Sequence, residues 1–259
     1  MDYLNTCKIG RVITQEQFDK LKLTQDVDTQ TIFFLPKMHK DPLKLRPIVS
    51  CKNGPTQNVS AFLDKLRQPC MTKVKSYLRN STDLIHILRT LKVPNHAYLI
   101  TLDIDSLYTN ITHNEAILSF LKKFKYHPNK IFLLDLLKYV LKNNVFKFDS
   151  MIFMQLCGVA MGMRLVPALA TIYVGDLEEA IIDNRLKQPM HWFRYIDDVF
   201  TIWTHTIEDF PEFLDGLNSV HPKIHSLPIS LHKLAFFWTL QFINRPSSRT
   251  QVNFPKDIL

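Results

Sequence analysis

The sequence predicts an α+β fold in which an antiparallel sheet is flanked by helices. Two observations support this prediction. Pairs of short strand-like stretches with turn residues between them occur at 31–50, 145–156 and 192–203, and such pairs are typical of hairpins. Apolar residues at helical spacing occupy much of the intervening chain, including a long run over residues 167–181. Hairpins with helices packed against them give a domain of the α+β class.

The first predicted hairpin is basic. A strand over residues 31–35 is expected to end at Pro36, and a second strand to run over residues 45–50. The loop between them carries cations that could lie over phosphate groups. A helix interrupted by Pro69 is then expected over residues 60–78.

A candidate site-bearing strand follows at residues 98–102, with Asp103 at its carboxyl end, where sites are built in α/β folds. Gly158 and Gly162 stand out because the chain has only 6 glycines. They indicate a close approach of the backbone to another group. The other expected elements are helices from residue 81, from a capping box at 112–115, over 131–141, from 167 and over 208–217, and a strand over 235–243.

The most informative stretch covers residues 194–198. Strand-favouring aromatic and β-branched residues flank it, so we expect a buried hairpin with Asp197 and Asp198 at its tip. Two buried like charges side by side are unfavourable, and a divalent cation would remove that cost by making the pair a ligand set. The alternative is an ordinary Asp-Asp turn, because Asp suits turns. The dipeptide alone does not separate the two.

Length and composition narrow the class of protein. The chain has 259 residues, 46% of them hydrophobic and 22% charged, which suits one large domain or two small lobes. Few glycines argue against a glycine-rich phosphate loop. The 4 cysteines form no C-x-x-C pair, which argues against zinc and a disulfide framework and favours a reducing, intracellular compartment. No signal peptide is evident, and no apolar run approaches the ~18 residues of a membrane span, so no membrane partner is expected.

The net charge of +8 lies in one segment, residues 37–79, where ten basic residues face two acids; the rest of the chain balances at 22 against 22. Such a local basic surface indicates a polyanion partner. A solvated basic face with no partner is the alternative. The ten residues are Lys37, Lys40, Lys44, Arg46, Lys52, Lys65, Arg67, Lys73, Lys75 and Arg79.

The acidic residues suggest phosphoryl-transfer chemistry. Asp103 ends one predicted strand, and Asp197 and Asp198 lie on a hairpin tip about 95 residues later. If the two strands are adjacent in an antiparallel sheet, Asp103 and Asp197 come together. Carboxylates held in this way frame a two-metal site, in which one ion activates a hydroxyl and both hold a triphosphate.

Five ordered motifs carry a family resemblance. Tyr195-Ile196-Asp197-Asp198 resembles the Y-x-D-D box of reverse transcriptases. This box and four further motifs occur in the order seen in Penelope-like retroelements, and the similarity runs from about residue 31 to 245. The four further motifs are residues 34–40, residues 46–50, residues 103–110, and Gln155 with residues 158–162. Leu217-Asn218-Ser219 with His221-Pro222 continues the match.

The resemblance implies a right-hand polymerase with fingers and palm, and with a missing or vestigial thumb. The implied domains are an N-terminal extension (1–30), fingers (31–97), palm (98–245) with a helical fingers insertion at about 112–150, and a truncated tail (246–259). The implied activity is RNA-directed DNA polymerisation with two Mg²⁺ ions, for which Mn²⁺ is a possible substitute. The partners would be an RNA template, a DNA primer and dNTPs, in a nuclear location; protein partners stay open.

The resemblance also assigns residue roles. Asp103, Asp197 and Asp198 would be catalytic, and Asp103, Asp197 and the Ile104 carbonyl would hold the metal ions. The implied nucleotide-binding residues are Lys37, Arg46, Tyr108, Gln155, Gly158 and Gly162. The implied nucleic-acid contacts are Lys40, Lys44, Lys52, Lys65, Arg67, Lys73, Lys75 and Arg79.

The chain departs from the family pattern in two places. Met163 and Arg164 replace small residues expected near the nucleotide, and residues 234–238 lack a usual proline and acid. A catalytically impaired remnant that only binds nucleic acid is therefore an alternative function. A two-metal nuclease is a weaker one, because no water-activating base is evident. The less favoured alternative for Tyr108 is a plain core residue.

Overall fold

The computed structural model describes residues 2–23, 27–38, 42–182 and 187–233, with side chains described up to residue 226. The helices are α1 (Asp2–Ile9), α2 (Gln15–Leu21), α3 (Gln57–Met71), α4 (Ser81–Thr90), α5 (Leu107–Asn110), α6 (His113–Lys123), α7 (Lys130–Lys142), α8 (Leu165–Ile182) and α9 (Phe210–Asn218). The strands are β1 (Gln30–Lys37), β2 (Lys44–Ser50), β3 (Tyr98–Ile104), β4 (Val145–Phe148), β5 (Met151–Met154), β6 (His191–Tyr195), β7 (Asp198–Trp203) and β8 (Ser226–Lys233).

The strands form two four-stranded sheets, so the expected mixture of helices and sheet is confirmed. The first sheet has the order β2-β1-β4-β5 and joins two antiparallel hairpins through a short parallel contact between β1 and β4. The second has the order β6-β7-β3-β8 and is antiparallel throughout. All three hairpins expected from the sequence are present.

Helix α8 is the centre of the core. Twelve of its 18 residues are buried, including Leu165 and Leu169, which are fully inaccessible. A helix that is apolar on nearly every side must be surrounded by other elements. It packs against α3, α6 and α9, and a second apolar cluster, which includes Trp203 and Phe213, lies between the second sheet and α9.

Three element boundaries differ from the prediction. β1 continues through Pro36, which pairs with Leu45 of β2. This is possible because β4 pairs with β1 only near Gln30, so the missing N–H of Pro36 removes no bond from a second neighbour. The helix expected over 60–78 ends at Met71, two residues after Pro69.

The start of α8 also differs, because it begins two residues before the Pro167 that was expected to open it. Strand β8 was not expected as an element. The predicted strand over 235–243, the truncated tail at 246–259 and Lys40 lie outside the described residues. Among the helices of the described ranges, none has the length and apolarity that crossing a bilayer would require.

We expect the Leu169→Ala variant to lower the free energy of unfolding by about 2–5 kcal/mol, because it leaves a cavity in the middle of α8. Leu118→Ala is the matched control, since Leu118 is a helical leucine that is 65% exposed, and its cost should stay below about 0.5 kcal/mol. Chemical denaturation of both variants measures the difference. Equal losses would show that α8 is not the core helix.

Candidate active site

The pairing of β3 with β7 assembles the acidic residues. Asp103 lies directly opposite Asp198, and the Ile104 N–H donates to the Asp197 carbonyl at 3.0 Å. Directly opposed residues of an antiparallel pair project from the same face. Leu102 and Val199 are the next opposed pair, and both are buried in the core. The carboxylates of Asp103 and Asp198 therefore lie on the other face. The expected adjacency of the two strands is confirmed, but the residue opposite Asp103 is Asp198 and not the expected Asp197, which lies in the turn.

The turn that carries Asp197 is strained. It consists of Ile196 and Asp197, between the paired residues Tyr195 and Asp198. Ile196 has a φ of 59°, at a turn position where a two-residue hairpin normally has glycine. For a β-branched residue this conformation costs on the order of 1–3 kcal/mol and persists only when the surroundings impose it. Such strain is common at functional sites.

Negative charge accumulates at this turn. Burial and the neighbouring Asp197 charge both raise the pKa of Asp198. Burial raises the pKa of Tyr108 to about 12, with a further contribution from Asp197, while the Arg46 charge acts in the opposite direction. Asp197, Tyr108 and Arg46 are thus close enough to interact electrostatically. A cation at the carboxylates would favour their ionised forms.

A magnesium ion fits this donor set only together with its substrate. In the part of the chain that the structure describes, no three His, Cys, Asp or Glu side chains converge as a ready-made metal cluster. Magnesium usually binds through one or two carboxylates and completes its shell with water and substrate phosphates. The opposed pair Asp103 and Asp198, with Asp197 in the adjoining turn, suits that mode of binding.

The two glycines of the Gly158–Gly162 motif make close backbone contacts within the protein itself. Gly158 has a φ of 76°, and a Cβ there would lie 2.8 Å from the Thr109 carbonyl oxygen. Gly162 has a φ of 110°, and a Cβ there would lie 2.2 Å from the Val49 carbonyl oxygen. Glycine is required at both positions. These contacts join the second half of the chain to β2 and α5.

The same segment contacts the backbone of Tyr108 and lies beside the β1–β2 hairpin. The Val159 N–H donates to the Tyr108 carbonyl at 2.8 Å, and the Val49 N–H donates to the Met161 carbonyl at 2.7 Å. A cavity of about 220 Å³ lies between the β1–β2 hairpin and residues 155–161, and Gln155 lines it. The side-chain amide nitrogen of Gln155 donates to the Cys157 carbonyl at 2.9 Å.

The family is shown by comparison with known sequences. Residues 36–254 match the family described as "Reverse transcriptase (RNA-dependent DNA polymerase)". The chain belongs to the reverse transcriptase family. Its domain is therefore that of an RNA-directed DNA polymerase, a nucleotidyltransferase. A search of curated proteins finds no match.

Solved structures show that the reverse transcriptase domain has a polymerase fold. An apo telomerase from Candida tropicalis, truncated from the C-terminal domain, has a TM-score of 0.56 at 11% identity, and the match covers 80% of this chain and 51% of the telomerase chain. A telomerase from Candida albicans in complex with a fragment of telomeric RNA has a TM-score of 0.56 at 11% identity, covering 84% and 43%. The RNA-dependent RNA polymerase of a human picobirnavirus has a TM-score of 0.55 at 10% identity, covering 79% and 41%. The chain spans about half or less of these longer proteins.

The basic residues of 37–79 are distributed over several elements of the fold. Lys37, Lys44 and Arg46 belong to the β1–β2 hairpin. Lys73 and Lys75 line a cavity of about 280 Å³ beside α8 and β6. Three further residues of this segment that were predicted to contact nucleic acid are exposed: Lys52, Lys65 and Arg79.

The prediction that Arg67 contacts nucleic acid is wrong. Its side chain is fully buried, and its guanidinium lies 5.1 Å from the centre of the Phe120 ring. Burial lowers the pKa of Arg67 to about 10. The sequence contained the signal, since Leu63, Arg67 and Met71 are spaced by four residues and share the buried stripe of α3.

Met163, one of the two residues that depart from the family pattern near the nucleotide, is a packing residue. It is 3% exposed and packs in the main core. Arg164 is exposed, and its charge opposes the rise that burial causes in the pKa of the Asp64 carboxyl on α3. Sequence reasoning missed Arg194 and Glu178, a buried ion pair behind the acidic turn. The signals were a cation inside an aromatic strand and an acid inside an apolar helix.

We expect Arg67→Met to leave the salt dependence of RNA binding unchanged, because the guanidinium does not reach solvent. The buried guanidinium nitrogens have no hydrogen-bond partner, which is unfavourable, so the apolar side chain should not lower the free energy of unfolding. Lys44→Met is the control: each lost phosphate contact should make the negative slope of log affinity against log salt shallower by about 0.7–0.9. Titrations at several KCl concentrations, with thermal melts, measure both effects. A shallower slope for Arg67→Met would contradict its burial.

Proposed function

We propose that this chain is the reverse transcriptase domain of a Penelope-like retroelement. It would add deoxynucleotides to the 3′-hydroxyl of a DNA primer on an RNA template, in the nucleus. The observation that carries the activity is the opposition of Asp103 and Asp198, with Asp197 in the strained turn between β6 and β7. The five ordered motifs support the subtype.

The described side chains have distinct parts in this reaction. Asp103, Asp197 and Asp198 would hold two magnesium ions, with help from the Ile104 carbonyl. When bound, these ions would activate the primer hydroxyl and neutralise charge on the triphosphate. Arg46, whose charge acts on Tyr108, would contact the triphosphate from the β1–β2 hairpin, together with Lys37.

The remaining nucleotide contacts would come from residues 155–162, which contact β2 and α5. Gln155 lines the cavity between the hairpin and residues 155–161 and would border the template base. Gly158 and Gly162 are required for the close backbone packing that shapes this wall. Met163 belongs to the core, so this departure from the family pattern does not obstruct the nucleotide.

Primer extension on an RNA template with magnesium tests the proposed activity. Asp197→Asn should lower the extension rate by roughly 10³-fold, since charge stabilisation by a metal ion is worth several kcal/mol and each ~1.4 kcal/mol is a factor of ten. Asp105→Asn is the control, because Asp105 is exposed and its backbone N–H, which the change preserves, donates to the His225 carbonyl. RNA binding should persist in both variants. RNA binding without extension by the unmodified chain would identify a binding-only remnant.

A second test concerns Tyr108, which is half-buried beside the Asp197 charge. Its hydroxyl is protonated at neutral pH, and its ring would lie against the nucleotide sugar. Overpacking costs about 1–3 kcal/mol, so the ring should discriminate against a 2′-hydroxyl by roughly one to two decades. Tyr108→Val should therefore admit ribonucleotides while deoxynucleotide use continues. If Tyr108 only supports the core, both incorporation efficiencies will fall together at an unchanged ratio.

A further inference from the structure

We propose that Arg194 and Glu178 are positioning residues of the polymerase site, because their buried ion pair orients the turn that carries Asp197. This inference rests on the proposed function for its catalytic meaning. Neither residue reaches the reacting atoms. Their role would be to hold the backbone from which the Asp197 carboxylate projects.

The guanidinium of Arg194 is fully buried and joins three elements. Its Nε and Nη2 donate to the two Glu178 oxygens at 2.7 and 3.0 Å, which is a bidentate pair with α8. Nη2 also donates to the Thr171 carbonyl of α8 at 3.0 Å. Nη1 donates to the Ile196 carbonyl at 2.9 Å, inside the acidic turn.

Both peptide groups next to Asp197 are anchored. The carbonyl of Ile196, which precedes it, accepts from Arg194, and the carbonyl of Asp197 itself accepts from the Ile104 N–H of β3. Fixing the two peptide planes that flank one Cα fixes the direction of its side chain. The positive φ of Ile196 shows that the turn would not adopt this geometry without support.

Glu178 is the partner that holds the guanidinium in place. Besides Arg194, its carboxylate accepts from the Trp192 indole N–H at 2.7 Å and from the Ser76 hydroxyl at 2.6 Å. Ser76 belongs to the segment that also pairs with the edge of β6, where the Arg194 N–H donates to the Ser76 carbonyl at 2.6 Å. The ion pair is therefore held by α8, by β6 and by the segment that contains Ser76.

A buried ion pair is weak evidence for stability, because desolvation offsets the attraction. The N–H donors of Arg194 also have a fixed geometry. The planar guanidinium serves Glu178 and the turn carbonyl together, whereas a lysine ammonium cannot reproduce that fork. Outer residues that orient metal ligands typically change metal affinity or activity by about 10–100-fold when they are altered. The contact between Arg194 and Ile196 places this pair one residue from Asp197.

The test compares Arg194→Lys and Glu178→Gln with Leu169→Ala, which destabilises α8 without contact to the turn. Mn²⁺ affinity of the protein–primer–template complex is measured by electron paramagnetic resonance, and single-nucleotide incorporation gives kcat and KM. Both positioning variants should weaken Mn²⁺ binding and lower kcat by about 10–100-fold, at a nearly unchanged KM for dNTP. Leu169→Ala, compared at equal folded fraction, should change neither.

The proposal would be overturned if the folded fraction of both positioning variants kept its Mn²⁺ affinity. It would also be overturned if their losses of Mn²⁺ affinity and kcat equalled those of Leu169→Ala. Hydrogen exchange supplies a measurement that needs no catalysis: the amides of residues 196–198 should exchange faster in Arg194→Lys than in the unmodified chain. If the unmodified chain binds Mn²⁺ but extends no primer, the proposed function fails while the metal and exchange measurements still decide the positioning role.

Discussion

The register between β3 and β7 is the constraint on which the site depends. Side chains alternate between the faces of a sheet, so a shift of one residue would move Asp103 to the opposite face from Asp198. Burial of Leu102 and Val199 prevents that shift, because the residue on the shifted strand would leave the core. The same apolar packing that stabilises the second sheet therefore also determines where its carboxylates meet.

A second constraint is close backbone contact between distant parts of the chain. Gly162 packs against the Val49 carbonyl of β2, and Gly158 against Thr109 of α5. Arg194 and Glu178 add a buried polar connection between β6, α8 and the acidic turn. Each contact brings residues that are far apart in sequence to the edge of one site, and each depends on a residue type with no equivalent substitute.

Much of the fold could be predicted because its signals are local. The three hairpins show alternating strand-favouring residues around turns, and the capping box of Thr112 and Glu115 opens α6 as expected. The errors concern positions where a distant neighbour decides. β1 passes through Pro36 because only one side of the strand is paired there, and the sequence does not state which strand edges are free.

The sequence by itself determined the family, the acidic residues of the site and the two required glycines, because each is marked by residue type and order. Only the tertiary structure decided the environment of each charged group. Arg67 and Arg194 are both fully buried arginines, yet one lies unpaired over Phe120 and the other forms a satisfied pair with Glu178. Burial and hydrogen bonding depend on which helices and strands pack together, and those neighbours are remote in sequence.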